Sequence, residues 1–141
     1  MKRYLLDTNI LGAGLFQRPS ATAMLTPWIT HREAATSILV YGELIEYIKG
    51  RQDFSRHQRD LRDLLREVTP YFLTYNIMEH YADIRRQLRP PHGPGLIGDV
   101  DTLIAATALE RNLTLVTTDS DFERISELKV IVIPRGSLET R

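Results

Sequence analysis

Asp7, Glu43, Asp101 and Asp119 are the residues of this chain that could do chemistry together. Each follows or opens an apolar stretch. Asp7 stands in Tyr4-Leu5-Leu6-Asp7-Thr8-Asn9 and Asp119 in Leu115-Val116-Thr117-Thr118-Asp119. Glu43 stands in Val40-Tyr41-Gly42-Glu43-Leu44 and Asp101 in Gly98-Asp99-Val100-Asp101. Two carboxylates about 5 Å apart repel by roughly 3 kcal/mol at an effective dielectric near 20. If these acids meet, they must be protonated or bridged by cations. The chain has no cysteine. Its histidines, His31, His57, His80 and His92, are scattered without helical metal-ligand spacing. An all-oxygen donor set suits magnesium or manganese rather than zinc or copper. A hard divalent ion so held polarises a phosphoryl oxygen and activates a water for in-line attack. Phosphodiester hydrolysis is the chemistry these residues point to.

Each acid also has a plainer reading. Acids in a helix's first turn favour the macrodipole, and Asp99 can serve as an N-cap. Asp119 can cap a helix that begins near Asp121, and Asp7 can bond its own turn. Taken singly, that reading is favoured for Glu43, Asp99 and Asp121. Taken together, the acids at one sheet edge favour a site. Thr8, Asn9, Asp99 and Asp121, each within two residues of one of these acids, are candidates to support it from behind.

Placing the acids at one edge requires a particular set of elements. Short, mostly continuous apolar runs read as strands covered on both faces: Arg3–Leu6, Thr36–Val40, Tyr71–Tyr75, Thr114–Thr117 and Val130–Ile133. Helical patterns lie between them at Ser20–His31, Tyr41–Lys49, Phe54–Val68, Asn76–Leu88 and Asp99–Arg111. Pro90–Gly95 is a loop of prolines and glycines. Strands alternating with helices predict an α/β layered fold with a mainly parallel sheet. In such a sheet the ends of the first and fourth strands, with Asp7 and Asp119, point to the edge where open α/β sheets bind ligands. Glu43 and Asp101 approach that edge from helix starts.

The totals agree with this. The chain has 141 residues, enough for one domain over 1–141 with a real core. Eighteen basic and eighteen acidic side chains balance to zero, so no bulk basic field advertises a nucleic-acid binder. The lack of cysteine fits a cytoplasmic location. Asp7 interrupts the first apolar stretch too early for a signal peptide, and no stretch has the length of a membrane span.

At the acids the chain resembles the PIN-domain nucleases, and among them the VapC-like toxins of toxin–antitoxin pairs. "YLLDTNIL" is similar to the family's first motif, with Asp7 as the metal-binding acid. "SILVYGELIE" is similar to the second, which gives Glu43 its role. "DVDTLIAATALERNLTLVTTDSDFERI" resembles the third and fourth together, with Asp101 and Asp119 as the remaining acids and Thr117 as a supporting hydroxyl. The resemblance implies a single PIN-like domain with a five-stranded parallel sheet flanked by helices. It implies a Mg2+-dependent or Mn2+-dependent endoribonuclease, a homodimer, neutralised by a cognate antitoxin.

Other functions compete. A non-catalytic PIN-like module that binds RNA or protein has no reason to keep a repulsive acid cluster. A phosphotransfer enzyme with an aspartyl nucleophile needs a second aspartate where Asn9 stands. A DNA-directed nuclease shares the chemistry. Outside the acids, Arg56, Arg59, Arg62 and Arg66 read first as a solvated helix face with ion pairs. Alternatively they form the positive rim that an acidic pocket needs to hold RNA, a role equally open to Arg85, Arg86 and Arg89. The patch Met24, Leu25, Trp28 and Ile29 reads as core, or as a partner groove if Trp28 is exposed. Ala105-Ala106-Thr107-Ala108 reads as close packing on the sheet, or as a dimer contact.

Overall fold

The computed structural model describes residues 1–139; the last two residues of the domain expected over 1–141 lie outside them. The chain begins β1 (Tyr4–Leu6), α1 (Thr8–Leu15), α2 (Pro19–Thr30), β2 (Ala34–Ser37), α3 (Ile38–Lys49), α4 (Phe54–Leu64). It continues β3 (Thr69–Tyr71), α5 (Tyr75–Leu88), α6 (Asp99–Arg111), β4 (Thr114–Thr117), a 3₁₀ turn (Ser120–Arg124), β5 (Val130–Val132) and α7 (Arg135–Glu139). The strands form one sheet in the order β3-β2-β1-β4-β5, and every pairing is parallel. The mainly parallel sheet read from the sequence is wholly parallel. Its inner strands are apolar because helices cover them: Leu5, Leu6, Ala34, Ala35, Leu115 and Val116 have no exposed surface.

Several boundaries differ from the sequence reading, each for a local reason. Residues 8–15 carry two glycines and lie outside the helical patterns read from the sequence; they form α1. Asp7 caps its start. A Cβ on Gly12 would meet Leu44 Cδ2 at 3.1 Å, and one on Gly14 would meet Leu25 Cδ1 at 2.7 Å. The glycines therefore let α3 and α2 approach α1 closely. The second strand ends at Ser37, not Val40. The Ser37 hydroxyl accepts from Leu39 N at 3.1 Å and starts α3 three residues earlier than the pattern suggested. Glu43 consequently lies in the second turn of α3. The third strand is Thr69–Tyr71 rather than Tyr71–Tyr75, because the Thr74 hydroxyl caps α5 through Ile77 N at 3.2 Å. Pro70 is tolerated there because β3 is an edge strand. The short α7 had no sequence signal.

Packing settles two open readings. Trp28 stacks on Tyr4, ring centroids 4.1 Å apart, and packs against the core. Ala105, Ala106 and Ala108 are fully buried within the domain, so the small-residue run serves internal packing. The site depends on the sheet order. From β1 the chain winds one way to β2 and β3 and the other way to β4 and β5, and the reversal opens a crevice at the carboxyl ends of β1 and β4.

Candidate active site

Asp7 leaves β1 into that crevice and is only 7% exposed. Its Oδ1 accepts from Thr8 N at 2.8 Å as α1 begins, and its Oδ2 accepts from the Thr117 hydroxyl at 2.6 Å. The backbone N of Asp7 also donates to Val116 O at 3.0 Å. Thr117 ends β4, the neighbouring strand, and its Oγ1 accepts from Asp119 N at 3.1 Å. One hydroxyl thus joins the first acid to the loop that carries the last. Asp119 Oδ1 accepts from Asp121 N at 2.9 Å, the capping role that its position allowed.

Glu43 reaches the same place from α3. Its Oε1 accepts a short hydrogen bond from the Thr8 hydroxyl, so Thr8 is to Glu43 what Thr117 is to Asp7. Asn9 Nδ2 donates to the Thr118 hydroxyl at 2.9 Å and ties α1 across to the β4 loop. Asp101 lies in the first turn of α6, half-buried.

The electrostatics show that the four acids share one field. Burial pushes the Asp7 carboxyl above the usual aspartate range; hydrogen bonds from Thr117 and Thr8 oppose the rise, and Glu43 and Asp119 add to it. Asp101 is pushed up to about 6, first by burial and then by Asp7, Asp119, Glu43 and Asp121. No ion pair relieves them: among the described residues, none of the four acids is bridged to a lysine or arginine. The acids share this field without closing on one point. Among the described residues, no three His, Asp or Glu side chains stand at metal-ligand spacing. The donor set still fits a hard cation: it is all oxygen, partly buried, mutually repulsive and without a protein counter-charge.

The supporting candidates divide. Thr8, Asn9 and Thr117 belong to the network. Asp99 turns away from it, accepting from Arg85 Nη1 at 2.8 Å and the Tyr81 hydroxyl at 3.1 Å. Asp121 adds charge near Asp101 but pairs with Arg124 at 3.4 Å. Thr118 was missed by the sequence reading. Its signal was the Thr-Thr-Asp run at a strand end, where two adjacent hydroxyls face different neighbours.

The PIN domain family matches residues 4–128, and the chain belongs to that family. PIN-domain nucleases generally use divalent metals. The fold is similar to VapBC2 from Rickettsia felis bound to a DNA fragment from its promoter, at 26% identity and a TM-score of 0.80, covering 92% of this chain and 98% of that one. It is similar to VapBC-1 from nontypeable Haemophilus influenzae at 28% identity and a TM-score of 0.74, covering 92% and 96%. The DNA-bound VapBC from Salmonella typhimurium, at 21% identity and a TM-score of 0.82 over 94% and 98%, shows the same fold. Within its family the chain is VapC-like. Among curated proteins, no sequence matches it. No helix among the described residues is long and apolar enough to cross a membrane.

Proposed function

We propose that the protein is a metal-dependent endoribonuclease, the toxin of a cytoplasmic toxin–antitoxin pair. The observation that carries this reading is a buried Asp7, without a cationic partner, in the field of Glu43, Asp101 and Asp119. Such a cluster is costly for a protein that only binds, and useful for one that holds Mg2+ or Mn2+. When bound, the ion supplies Lewis acidity at the scissile phosphate and a water of lowered pKa. Asp7, Asp101, Asp119 and Glu43 are the residues that would hold it.

The chain's own part is orientation. The Thr117 hydroxyl fixes the rotation of the Asp7 carboxylate, and Thr8 fixes that of Glu43. The Thr117 hydroxyl donates to the ionised form of Asp7 and favours it against burial. The VapBC relatives support a cognate antitoxin as partner. A homodimer belongs to the same reading. Leu73, Tyr75 and Met78 leave an apolar surface at the start of α5 that a second copy would cover.

The test is cleavage of total RNA, with DNA of matched length beside it, in Mg2+ and in chelator. Wild type is expected to cut RNA only with the metal, and Asp7→Asn and Asp101→Asn are expected to cut nothing while remaining folded. An unchanged cleavage rate in either variant rejects the assignment.

A further inference from the structure

An acidic crevice repels a polyanion, so something nearby must attract the substrate. Several arginines were candidates; among the described residues some are already held, while Arg86 and Arg89 on α5 are exposed and have no ion pair. Arg85 is held by Asp99 and lies over the Tyr81 ring. Arg124 is tied to the Gly95 and Leu96 carbonyls and to Asp121. Arg51 lies over the rings of Phe16 and Tyr47. Arg56 has an exposed contact with Asp60 at 4.0 Å along α4. Arg59, Arg62 and Arg66 are set apart by their placement. They follow one another at i, i+3 and i+7, a single stripe of the helix and the turn that ends it. Leu61, on the opposite face of α4, is fully buried. Among the described residues, Arg59 and Arg62 have no ion pair, and Arg66 has only an exposed contact with Asp63 at 3.9 Å.

These arginines line a groove of about 730 Å³, three basic side chains against one acid, Asp63, and its other walls include Tyr41, Pro70 and Phe72. Phe72 is 66% exposed. A large aromatic left that open gains nothing for the fold. Its position is informative: it follows β3 directly, so it stands at the carboxyl edge of the sheet, the edge that carries Asp7 and Asp119. β3 is two strands from β1, roughly 10 Å at about 4.8 Å per strand. A row of guanidinium groups, two of them without an ion pair among the described residues, beside an exposed Phe72 ring and a half-buried Tyr41 ring is an arrangement that can hold single-stranded nucleic acid, phosphates on one wall and bases stacked on the other.

We infer that the groove between α4 and the end of β3 holds the single-stranded part of the RNA substrate, with Arg59, Arg62 and Arg66 on its phosphates and Phe72 and Tyr41 under its bases. This deepens the ribonuclease reading and rests on it. Arg59, Arg62 and Phe72 are positioning residues, not catalytic ones.

Binding is measured directly, by fluorescence anisotropy with a labelled 15-nucleotide uridine RNA and Asp101→Asn protein, which does not consume the probe. Two lost phosphate contacts, at a salt slope of about 0.7 each for single strands, weaken binding roughly tenfold near 0.15 M salt and flatten the slope by about 1.4. Arg59→Ala/Arg62→Ala is expected to show both effects. Arg59→Lys/Arg62→Lys, which keeps the charge, is expected to recover most of the affinity. Phe72→Ala is expected to weaken binding without changing the slope, since stacking releases no counterions. Affinity and slope unchanged in the alanine pair overturn the groove, as does wild-type-like binding in all variants or no RNA binding in the parent. A polyglutamate peptide of equal charge binding more tightly than the RNA assigns the groove to an acidic protein segment and also overturns it. The two readings fail separately. If Asp7→Asn abolishes cleavage but the arginine variants bind normally, only the groove is wrong. If binding depends on the arginines but no RNA is cut, only the nuclease reading is wrong.

Discussion

Asp101→Asn should stabilise the metal-free protein while destroying its activity. The carboxyl of Asp101 is held near 6, where an ordinary aspartate titrates at 3.8. At about 1.4 kcal/mol per pH unit, the gap is worth about 3 kcal/mol. The group is only half-buried, and solvent screening reduces this to about 1–2 kcal/mol. The sign follows from proton linkage. The folded state binds the Asp101 proton more tightly than the unfolded chain, so stability falls as pH rises from about 4 to 6. Above that window the full cost is present, and below it none. Asparagine keeps the shape and removes the charge. In chelator at pH 7, the variant should melt roughly 3–8 °C above wild type, from the usual scaling for a domain of this size. Near pH 4 most of that advantage should vanish, because folded wild type then carries the proton. Thermal unfolding followed by circular dichroism at the two pH values decides it. A variant less stable than wild type at pH 7, or an advantage that does not change with pH, refutes the reasoning.

Other outcomes follow from the same geometry. Thr117→Val removes the donor to a buried carboxylate and should cost about 1–3 kcal/mol in denaturant unfolding. It should also move the acid limb of the cleavage–pH profile upward, because that hydrogen bond holds the Asp7 pKa down. Asp99→Asn should leave cleavage within about twofold and cost less than about 1 kcal/mol, since it weakens only a partly exposed pair with Arg85 and a hydrogen bond from Tyr81; a large loss of activity would return Asp99 to the site. Tyr75→Glu, at a residue 91% exposed, should shift sedimentation from dimer to monomer if the start of α5 is the self-association surface.

Much of this was legible in the sequence because the chemistry is local to strand ends. Leu5-Leu6-Asp7 and Val116-Thr117-Thr118-Asp119 each show a buried strand breaking into polar residues, and a parallel sheet sends both breaks to one edge. Periodicity could not place Glu43 correctly within its helix. Ile38, Leu39 and Val40 continue the apolar run of β2, and only the Ser37 cap reveals that they are already helical. α1 was hidden for the opposite reason. Its glycines argue against a helix, yet they are there because Leu44 and Leu25 press against it. Asp99 and Asp101 look alike in sequence. They part because Arg85 and Tyr81 on α5 capture the first, while the second is turned to the crevice. The candidate arginines looked alike in sequence; only the fold shows that Asp99 holds Arg85 and that Arg59, Arg62 and Arg66 line one groove.

The direct test of the central claim is Mn2+ binding in the absence of RNA, followed by electron paramagnetic resonance of the free ion. Wild type should take up the ion at neutral pH, and the Asp7→Asn and Asp119→Asn proteins should leave nearly all of it in solution. Equal uptake by all three would mean that these carboxylates do not share a cation.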